Sequence, residues 1–318
     1  MKDTILFGDC RKTLSAFLPQ SARMCVTSPP YYGLRDYGGE DSQIGQEQTP
    51  EEFIEQLVSV FREVKNVLTD DGTCWVNLGD SYYNYRPGKG QALVKQSVSK
   101  TKQDLPDKCA KRANKLDGLK EKDLIGIPWM FAFAMRNDGW YLRQDIIWHK
   151  PNPMPESVRD RCTKSHEYIF LFSKNKKYFY DNEAIKEPAK DWGTRDRTNG
   201  KYHNTGTGLA PHSGLSKSYD RKNKRDVWSV TNKPYKHAHF ATFPPDLIEP
   251  CILAGSKEGD IVLDPFMGSG TTAMVAKQHN RHYIGCELHD NYKDLIEQRV
   301  PVEISSQDID NPLTQMLY

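Results

Sequence analysis

Hydrophobic and polar positions along the chain follow two periods, one typical of strands and one typical of helices. Short apolar runs followed by polar or turn-forming residues predict buried strands at residues 4–7, 23–26, 73–78, 260–264 and 282–286. Between strands, apolar residues recur at helical spacing, as in the stripe from Phe53 to Leu68 and the face shared by Leu14, Phe17 and Leu18. This alternation of strand and helix predicts an α/β fold built on an open, mainly parallel sheet.

One helix carries clear signals at both of its ends. Thr49 is the predicted N-cap, Pro50 occupies the first helical position, and Glu52 completes a capping box. Residues 70–72, two aspartates and a glycine, predict its stop before the strand that begins at Thr73.

The middle of the chain predicts one more helix and a pair of strands. The helix covers about residues 127–136, where the sequence Asn-Asp-Gly follows as a stop signal. Strands at 140–149 and 168–174 flank the proline-rich stretch 150–155. We expect these two strands to form a hairpin-like pair.

Positive charge is concentrated in two polar segments that lack periodicity. Residues 82–122 hold 11 basic and 4 acidic side chains, and residues 186–236 hold 12 basic and 5 acidic ones, against a net charge of +2 for the whole chain. In the second segment, aromatic residues are interspersed with the basic ones. Two basic segments on an acidic body are consistent with contact to a nucleic acid, although solvated lysine-rich loops would give the same composition.

Composition excludes several other classes of protein. The longest nearly pure apolar run, Trp129 to Met135, is too short to cross a bilayer, and the N-terminus lacks a signal-peptide pattern. Seven cysteines are scattered without the spacing of a zinc site, so we predict no metal and reduced thiols in a cytoplasmic protein.

A rigid polar cluster, Ser28-Pro29-Pro30-Tyr31, follows the second predicted strand. The two prolines hold the backbone extended and offer no N–H, so carbonyl groups here are available to an external donor. A hydroxyl precedes them and an aromatic ring follows them. Such a cluster can accept hydrogen bonds from a planar amino group and stack on its ring, although a Pro-Pro strand terminator alone would look the same.

A second motif late in the chain favours the functional interpretation. Residues 260–272 comprise a buried strand, the turn Gly268-Ser269-Gly270 and a helix start, where backbone N–H groups favour an anionic group. The next strand ends in Glu287, 19 residues after Gly268, which is the position where a carboxylate grips a ribose in nucleotide-binding folds. The lysine of a phosphate-binding P-loop is missing, so the pattern predicts an adenosine-containing ligand rather than an ATPase.

Together these motifs resemble those of the amino-group DNA methyltransferases, which use S-adenosylmethionine. The family combines a (S/D/N)PP(Y/F/W) catalytic motif with a DPFxGSGTT-type cofactor loop, here Ser28–Tyr31 and Asp264–Thr272. The catalytic motif precedes the cofactor loop, as in the permuted order called the beta class. The resemblance covers nearly the whole chain except the two basic segments.

The resemblance implies a Rossmann-like methyltransferase sheet, S-adenosylmethionine as cofactor and double-stranded DNA as substrate. A flipped base would place its amine against Ser28 and the Pro29 carbonyl and would stack on Tyr31. The implied catalytic residues are Ser28, Pro29, Pro30 and Tyr31. The implied cofactor-binding residues are Asp9, Asp264, Phe266, Gly268, Ser269, Gly270, Thr271 and Glu287.

The resemblance also divides the chain and limits its target. We expect a catalytic part (1–82), a basic insertion (83–122), a continuation of the same domain (123–185), a target-recognition region (186–239), a cofactor-binding part (240–300) and a C-terminal tail (301–318). Serine before the two prolines usually accompanies cytosine N4 in this family, so we favour that amine, with adenine N6 as the alternative and a catalytically silent DNA-binding module as a remote one. A homodimer and a cognate restriction endonuclease are further candidate partners.

Overall fold

A computed structural model describes residues 1–33, 42–83, 116, 118–189, 220–232 and 243–300, together with the backbone of 303–305. Most of the basic insertion, most of the expected target-recognition region and nearly all of the C-terminal tail lie outside these residues. The predicted division into parts therefore stays a prediction.

Strands and helices alternate along most of the chain. The strands are β1 (Thr4–Phe7), β2 (Ala22–Thr27), β3 (Leu68–Leu78), β4 (Tyr141–His149), β5 (His166–Ser173), β6 (Glu187–Pro188), β7 (Arg221–Lys222), β8 (Val227–Ser229), β9 (Ile261–Asp264), β10 (His282–Glu287) and β11 (Glu303–Ser305). The α-helices are α1 (Cys10–Thr13), α2 (Pro50–Val67), α3 (Ile127–Asn137), α4 (Pro245–Gly255), α5 (Thr271–Gln278) and α6 (Lys293–Arg299).

Nine of these strands form one sheet in the order β11-β1-β10-β9-β2-β3-β5-β4-β8. From β11 to β3 every pairing is parallel. Strand β5 then pairs antiparallel with both β3 and β4, which confirms the predicted hairpin-like pair. The sheet is therefore mainly parallel with an antiparallel part at one side, as predicted for a Rossmann-like methyltransferase.

Both faces of the sheet are covered by apolar side chains. One core packs α1, α2 and α3 against alternate strand residues such as Cys25 and Cys74, both fully buried. The other core packs α4, α5 and α6 against the intervening residues, among them Met24, Val26 and Trp75. Because successive strand side chains point to opposite faces, one sheet serves two hydrophobic cores.

The capping box of α2 is confirmed, and the predicted end of this helix is wrong. Thr49 Oγ1 accepts from the Glu52 N–H at 3.2 Å, and the Glu52 carboxylate accepts in return from the Thr49 N–H at 3.2 Å. The helix ends at Val67, and β3 begins directly at Leu68 and continues through residues 70–72. The β2 partner Ala22↔Leu68 extends the sheet into this stretch, so strand pairing overrides the local turn signal.

The first helical segment is also shorter than its apolar pattern indicates. Cys10–Thr13 is α-helical, Leu14–Ala16 continues as a single 3-10 turn, and Phe17 is extended. Leu14 and Phe17 are buried, whereas Leu18 is 63% exposed because the helix has ended before it. The expectation that Leu18 shares their face is therefore wrong.

Helix α3 is capped from another strand. The Asp80 carboxylate, just past the end of β3, accepts from the Gly126 N–H at 3.0 Å and the Ile127 N–H at 3.1 Å. These are orphan donors of the first helical turn, and a carboxylate there also complements the helix dipole. None of the helices in the described part of the chain combines the length and the hydropathy that a bilayer-spanning segment requires.

Candidate functional site

The two predicted motifs meet at the carboxyl edge of the sheet. Strand β2, which ends just before Ser28, pairs in parallel with β9 at Cys25↔Leu263. Strand β3 lies on the other side of β2, with Thr27 opposite Val76. Because parallel strands end at the same edge, the SPPY motif, the glycine loop after β9 and the end of β3 are neighbours, although their sequences are far apart.

The glycine loop has the backbone of a tight turn that opens a helix. Gly268 and Gly270 have φ values of 53° and 81°, left-handed conformations that favour glycine, and α5 begins directly after Gly270. Nothing lies closer than 4.0 Å to the position where a Cβ on Gly268 would stand, so this side of the loop is open. The loop can therefore accept close approach by a ligand.

The Glu287 carboxylate lies beside this loop, as the spacing predicts. Its Oε2 accepts from the Gly268 N–H at 2.7 Å and its Oε1 accepts from the His289 N–H at 3.0 Å. Burial raises the pKa of Glu287 to about 7, with the backbone hydrogen bonds opposing that rise. A buried carboxylate at a strand end with accepting capacity left fits the hydroxyls of a ribose.

Asp264 makes its hydrogen bonds within the protein. Oδ1 accepts from Thr27 Oγ1 at 2.6 Å and from the Phe266 N–H at 3.0 Å, and Oδ2 accepts from Thr272 Oγ1 at 2.6 Å. The side chain is 1% exposed, and burial raises its pKa to about 6. Asp264 thus joins the end of β2, where the SPPY motif begins, to the loop and first turn of α5.

The other predicted cofactor residues differ in what they contact. Ser269 and Thr271 are buried, and both hydroxyls receive a hydrogen bond from Arg299 Nη1, at 3.0 and 2.7 Å. Phe266 is half-buried beside the first core. Asp9 caps α1 and is ion-paired with Arg11 at 2.7 Å, so its carboxylate is already occupied by this arginine.

Around the SPPY motif, side chains on or just after four strands (β2, β3, β4 and β5) form what we call the catalytic wall: Ser28, Tyr31, Asn77, Lys150 and Glu167. Ser28 Oγ lies 3.4 Å from Asn77 Oδ1, and the Tyr31 hydroxyl donates to Glu167 Oε2 at 2.6 Å. Lys150 pairs with the other oxygen of Glu167. Groups with fixed donor and acceptor roles therefore lie beside the Ser28 hydroxyl and the Tyr31 side chain.

The Tyr31 ring is held against the end of β3. A Cβ on Gly79 would lie 2.6 Å from Tyr31 Cε2, so only glycine allows the ring to lie where it does. The ring is thus packed on the sheet along its Cδ2, Cε2 and Cζ atoms, which fixes its position and suits a ring that is to stack on a base.

Sequence reasoning missed several of these residues. Asn77, Lys150 and Glu167 lie inside strand patterns or just past one, and each is an ordinary polar residue in isolation. The signal that would have helped is the cross-strand register, which sets Leu78 opposite Tyr168 and so brings Glu167 to the end of β3. Thr27 adjoins the SPPY motif and Thr272 ends the cofactor motif, but their hydrogen bonds to Asp264, like the role of Arg299, were visible only in the structure.

Among the cysteines of the described residues, all except the exposed Cys162 are buried. Cys251 lies buried in α4, and burial raises its pKa well above the ordinary range of a thiol. Cys25 and Cys74 are core residues. The described residues also hold no cluster of histidine, cysteine and acidic side chains that could bind a metal ion.

Comparison with solved structures identifies the fold. The structure superposes on PvuII DNA methyltransferase (cytosine-N4-specific) with a TM-score of 0.59 at 17% identity, covering 96% of this chain and 95% of that one. It superposes on a putative DNA modification methylase of Thermus thermophilus, solved with S-adenosyl-L-methionine, with a TM-score of 0.58 at 23% identity, covering 95% and 98%. The fold is that of an S-adenosylmethionine-dependent methyltransferase, and the open glycine loop with its carboxylate fits this cofactor.

The sequence comparisons narrow the class. The profile of the DNA methylase family matches residues 22–298. The chain is 46% identical over 300 residues to the Type II methyltransferase M.Cfr9I of Citrobacter freundii, covering 94% of this chain and 88% of that protein. It is also 46% identical over 301 residues to M.SmaI of Serratia marcescens, covering 93% and 90%. The chain belongs to the DNA methylase family, and it is a Type II DNA methyltransferase of the kind that modifies amino groups.

Proposed function

We propose that this methyltransferase modifies the exocyclic N4 amine of cytosine in double-stranded DNA. The observation that carries the proposal is the Ser28 hydroxyl at the end of β2, beside the Tyr31 ring and joined through Thr27 and Asp264 to the cofactor loop. Serine before the two prolines usually accompanies cytosine N4 in this family. A carboxylate or an amide, each a stronger acceptor than a hydroxyl, stands there in other members.

The residues of the SPPY motif prepare the target amine. The amine is a poor nucleophile because its lone pair is conjugated into the ring. Ser28 Oγ and the Pro29 carbonyl accept its two N–H bonds, which favours a pyramidal nitrogen with the lone pair directed at the methyl group, and Tyr31 stacks on the base that has left the duplex. Pro30 keeps this stretch extended.

The cofactor residues orient the methyl donor. The bound S-adenosylmethionine supplies a methyl group already activated by its sulfonium. Glu287 would accept from the ribose hydroxyls, and the Gly268–Gly270 loop and Phe266 would hold the methionine end. Asp9 would lie on the adenine side. Asp264, Ser269 and Thr271 act by holding this loop in place. Catalysis then rests on positioning and on fixed dipoles.

The basic segments supply the DNA contacts in this proposal. Residues 186–239 would serve target recognition and residues 83–122 would bind the phosphate backbone, because basic side chains with interspersed aromatics suit backbone and base contact. Deleting each segment in turn should lower DNA affinity and reduce its dependence on salt. Unchanged affinity and salt slope after both deletions would refute this assignment.

The proposed cellular location and partner are inferred from the relatives. Type II methyltransferases are named for restriction-modification, so we propose a bacterial or phage-encoded enzyme that acts in the cytoplasm beside a cognate restriction endonuclease. A homodimer is part of the same proposal. Sedimentation with and without DNA measures the oligomeric state directly.

Product analysis tests the target. Unmethylated genomic DNA is incubated with the protein and S-adenosylmethionine, and its nucleosides are identified by mass spectrometry. N4-methylcytosine is the expected product. N6-methyladenine would refute the cytosine assignment, and DNA binding without any product would contradict catalysis. Alanine at Pro29, Tyr31 or Asp264 should abolish transfer, and retained activity in all three variants would refute the site itself.

A further inference from the structure

The mechanism above leaves one enclosed carboxylate of the catalytic wall without a role. Glu167 stands near the start of β5, next to Tyr168, which pairs with Leu78 at the end of β3. Its side chain is 13% exposed and its partner Lys150 is 17% exposed. A charge pair enclosed to this degree costs desolvation free energy, so its presence beside the SPPY motif calls for a function.

Glu167 accepts hydrogen bonds from two other side chains of the catalytic wall. Its Oε2 accepts from the Tyr31 hydroxyl at 2.6 Å and from Asn77 Nδ2 at 3.2 Å. Its other oxygen is paired with the Lys150 ammonium, which also lies 4.2 Å from the Trp148 ring centroid. The cation compensates the carboxylate, and both oxygens are thereby held in fixed directions.

The donor and acceptor roles in these hydrogen bonds determine whether Ser28 donates to Asn77 or accepts from it. A carboxylate can only accept, so Asn77 must turn its NH₂ group towards Glu167, and the same group donates to the Tyr168 carbonyl at 3.1 Å. Asn77 Oδ1 consequently faces Ser28 Oγ at 3.4 Å and the Tyr31 hydroxyl at 3.3 Å. The Ser28 hydroxyl then donates to Asn77, which leaves the lone pairs of its oxygen for the amine.

We propose that Glu167 is a positioning residue for methyl transfer: it anchors Tyr31 through its hydroxyl and, through the orientation of Asn77, directs the Ser28 hydroxyl so that its oxygen accepts from the target amine. Glu167 itself touches neither base nor cofactor. The inference rests on the proposed role of Ser28 and Tyr31 and adds a residue that their motif does not contain.

The test is the variant Glu167→Gln in the full-length protein, measured by single-turnover methyl transfer on DNA at saturating cofactor. The Lys150 ammonium can only donate and so takes the amide oxygen of the glutamine. The NH₂ group then faces Tyr31 and Asn77, and Asn77 is released to turn and to donate to the Ser28 oxygen. We expect the rate constant to fall about 10- to 100-fold, the size of one charge-assisted hydrogen bond. Cofactor affinity should stay within about twofold, because the cofactor loop is unchanged.

The matched control is Asp138→Asn. Asp138 is also an enclosed carboxylate, 15% exposed and paired with Arg62 at 2.6 Å, but it lies at the end of α3 away from the SPPY motif. Its transfer rate should remain within about twofold of the unchanged protein. An equal loss of rate in both variants would mean that Glu167 acts through general stability, and would overturn the proposal.

A double-mutant cycle with Ser28→Ala separates positioning from structure. If Glu167 acts through Ser28, the pair Ser28→Ala/Glu167→Gln should transfer little more slowly than Ser28→Ala alone. If the two losses in transfer rate multiply in the double variant, Glu167 does not act through Ser28, and the proposal is overturned. If Ser28→Ala transfers at the unchanged rate, the proposed function fails, whereas a slow Ser28→Ala with a normal Glu167→Gln refutes only the positioning role.

A second variant covers a failure of Glu167→Gln to fold. The change leaves Lys150 without its counter-charge, so the pair Lys150→Met/Glu167→Leu removes both charges together and leaves no acceptor at position 167. It still lacks the acceptor for Tyr31 and Asn77, so its rate should fall as far as that of the single variant. A rate within about twofold of the unchanged protein would overturn the proposal.

Discussion

The cofactor loop and the catalytic wall are built in different ways. The loop, from Asp264 to Glu287, is a continuous strand–turn–helix–strand unit whose parts are neighbours in sequence. The wall draws Ser28 from the end of β2, Asn77 from β3 and Glu167 from β5, and these strands are adjacent only in the sheet. A local unit leaves a motif in the sequence, whereas a wall assembled across strands leaves isolated polar residues.

Asp264 connects the two regions and shows how they depend on each other. Its two oxygens accept from Thr27, just before the wall, and from Thr272, at the start of α5. One buried carboxylate, as well as strand pairing, therefore fixes the position of the catalytic wall relative to the cofactor loop. Four substitutions, taken from the largest expected effect to the smallest, test how separate the two regions are.

Asp264→Ala should damage both regions. It leaves two hydroxyls and one N–H without their acceptor, which costs about 3 kcal/mol of unfolding free energy, and it loosens the loop enough to lower cofactor affinity about 100-fold. Denaturant unfolding and calorimetric titration measure the two effects. Asp260→Ala, at the opposite edge of the sheet, is the control and should keep normal cofactor affinity. Unchanged affinity in Asp264→Ala would remove it from the site.

Glu287→Gln should affect the cofactor loop alone. We expect about tenfold weaker cofactor binding, because an amide replaces one accepting oxygen by a donor, and normal DNA affinity. Calorimetric titration of the cofactor and a DNA-binding assay provide the two readouts. An equal loss of DNA affinity would show that the regions are not separable.

The pH dependence of Glu287 has opposite signs for binding and for stability. The pKa of this carboxyl rises from its ordinary value of 4.5 to about 7 on folding. Between these two pH values the folded protein therefore holds a proton that the unfolded chain has released. Its contribution to stability is therefore full below about pH 4.5 and declines as pH rises towards 7. Cofactor affinity should instead increase between about pH 6 and pH 8, since the ionised form accepts both ribose hydroxyls, and Glu287→Gln should abolish that increase.

Gly79→Ala should affect the catalytic wall alone. The added methyl would lie 2.6 Å from Tyr31 Cε2, so the ring must move, and we expect about tenfold slower single-turnover transfer with cofactor affinity unchanged. Weaker cofactor binding of the same size would contradict the separation. Normal transfer would show that the position of the Tyr31 ring is not critical.

Thr49→Ala should lower stability without touching either region. Loss of the capping box costs about 1 kcal/mol, and α2 packs in the first core without contributing a residue to the catalytic wall or the cofactor loop. Thermal unfolding measures the loss, and transfer assays below the melting temperature should show the normal rate. A slower rate would mean that activity follows global stability, which would weaken every conclusion drawn from the three larger changes.

Much of this protein was determined by its sequence alone. Short-range rules predicted the alternation of strands and helices, the capping box at Thr49 and the turn at Gly268–Gly270. They also placed Glu287, because it ends the strand–turn–helix–strand unit that begins at Asp264. The two motifs also sufficed to predict the methyltransferase fold, its cofactor and the family. The one clear error in strand limits, at residues 70–72, came from a local turn signal that pairing with β2 overrode.

The tertiary structure decided what stands beside what. Asp264 links the cofactor loop to the end of β2 by hydrogen bonds, and Asp9 is ion-paired with Arg11. Asn77, Lys150 and Glu167 lie together only because of the register of β3, β4 and β5. Register places residues 90 positions apart in contact, as for Asn77 and Glu167. No periodicity within a single strand encodes that contact, because the hydrogen bonds that create it belong to the sheet.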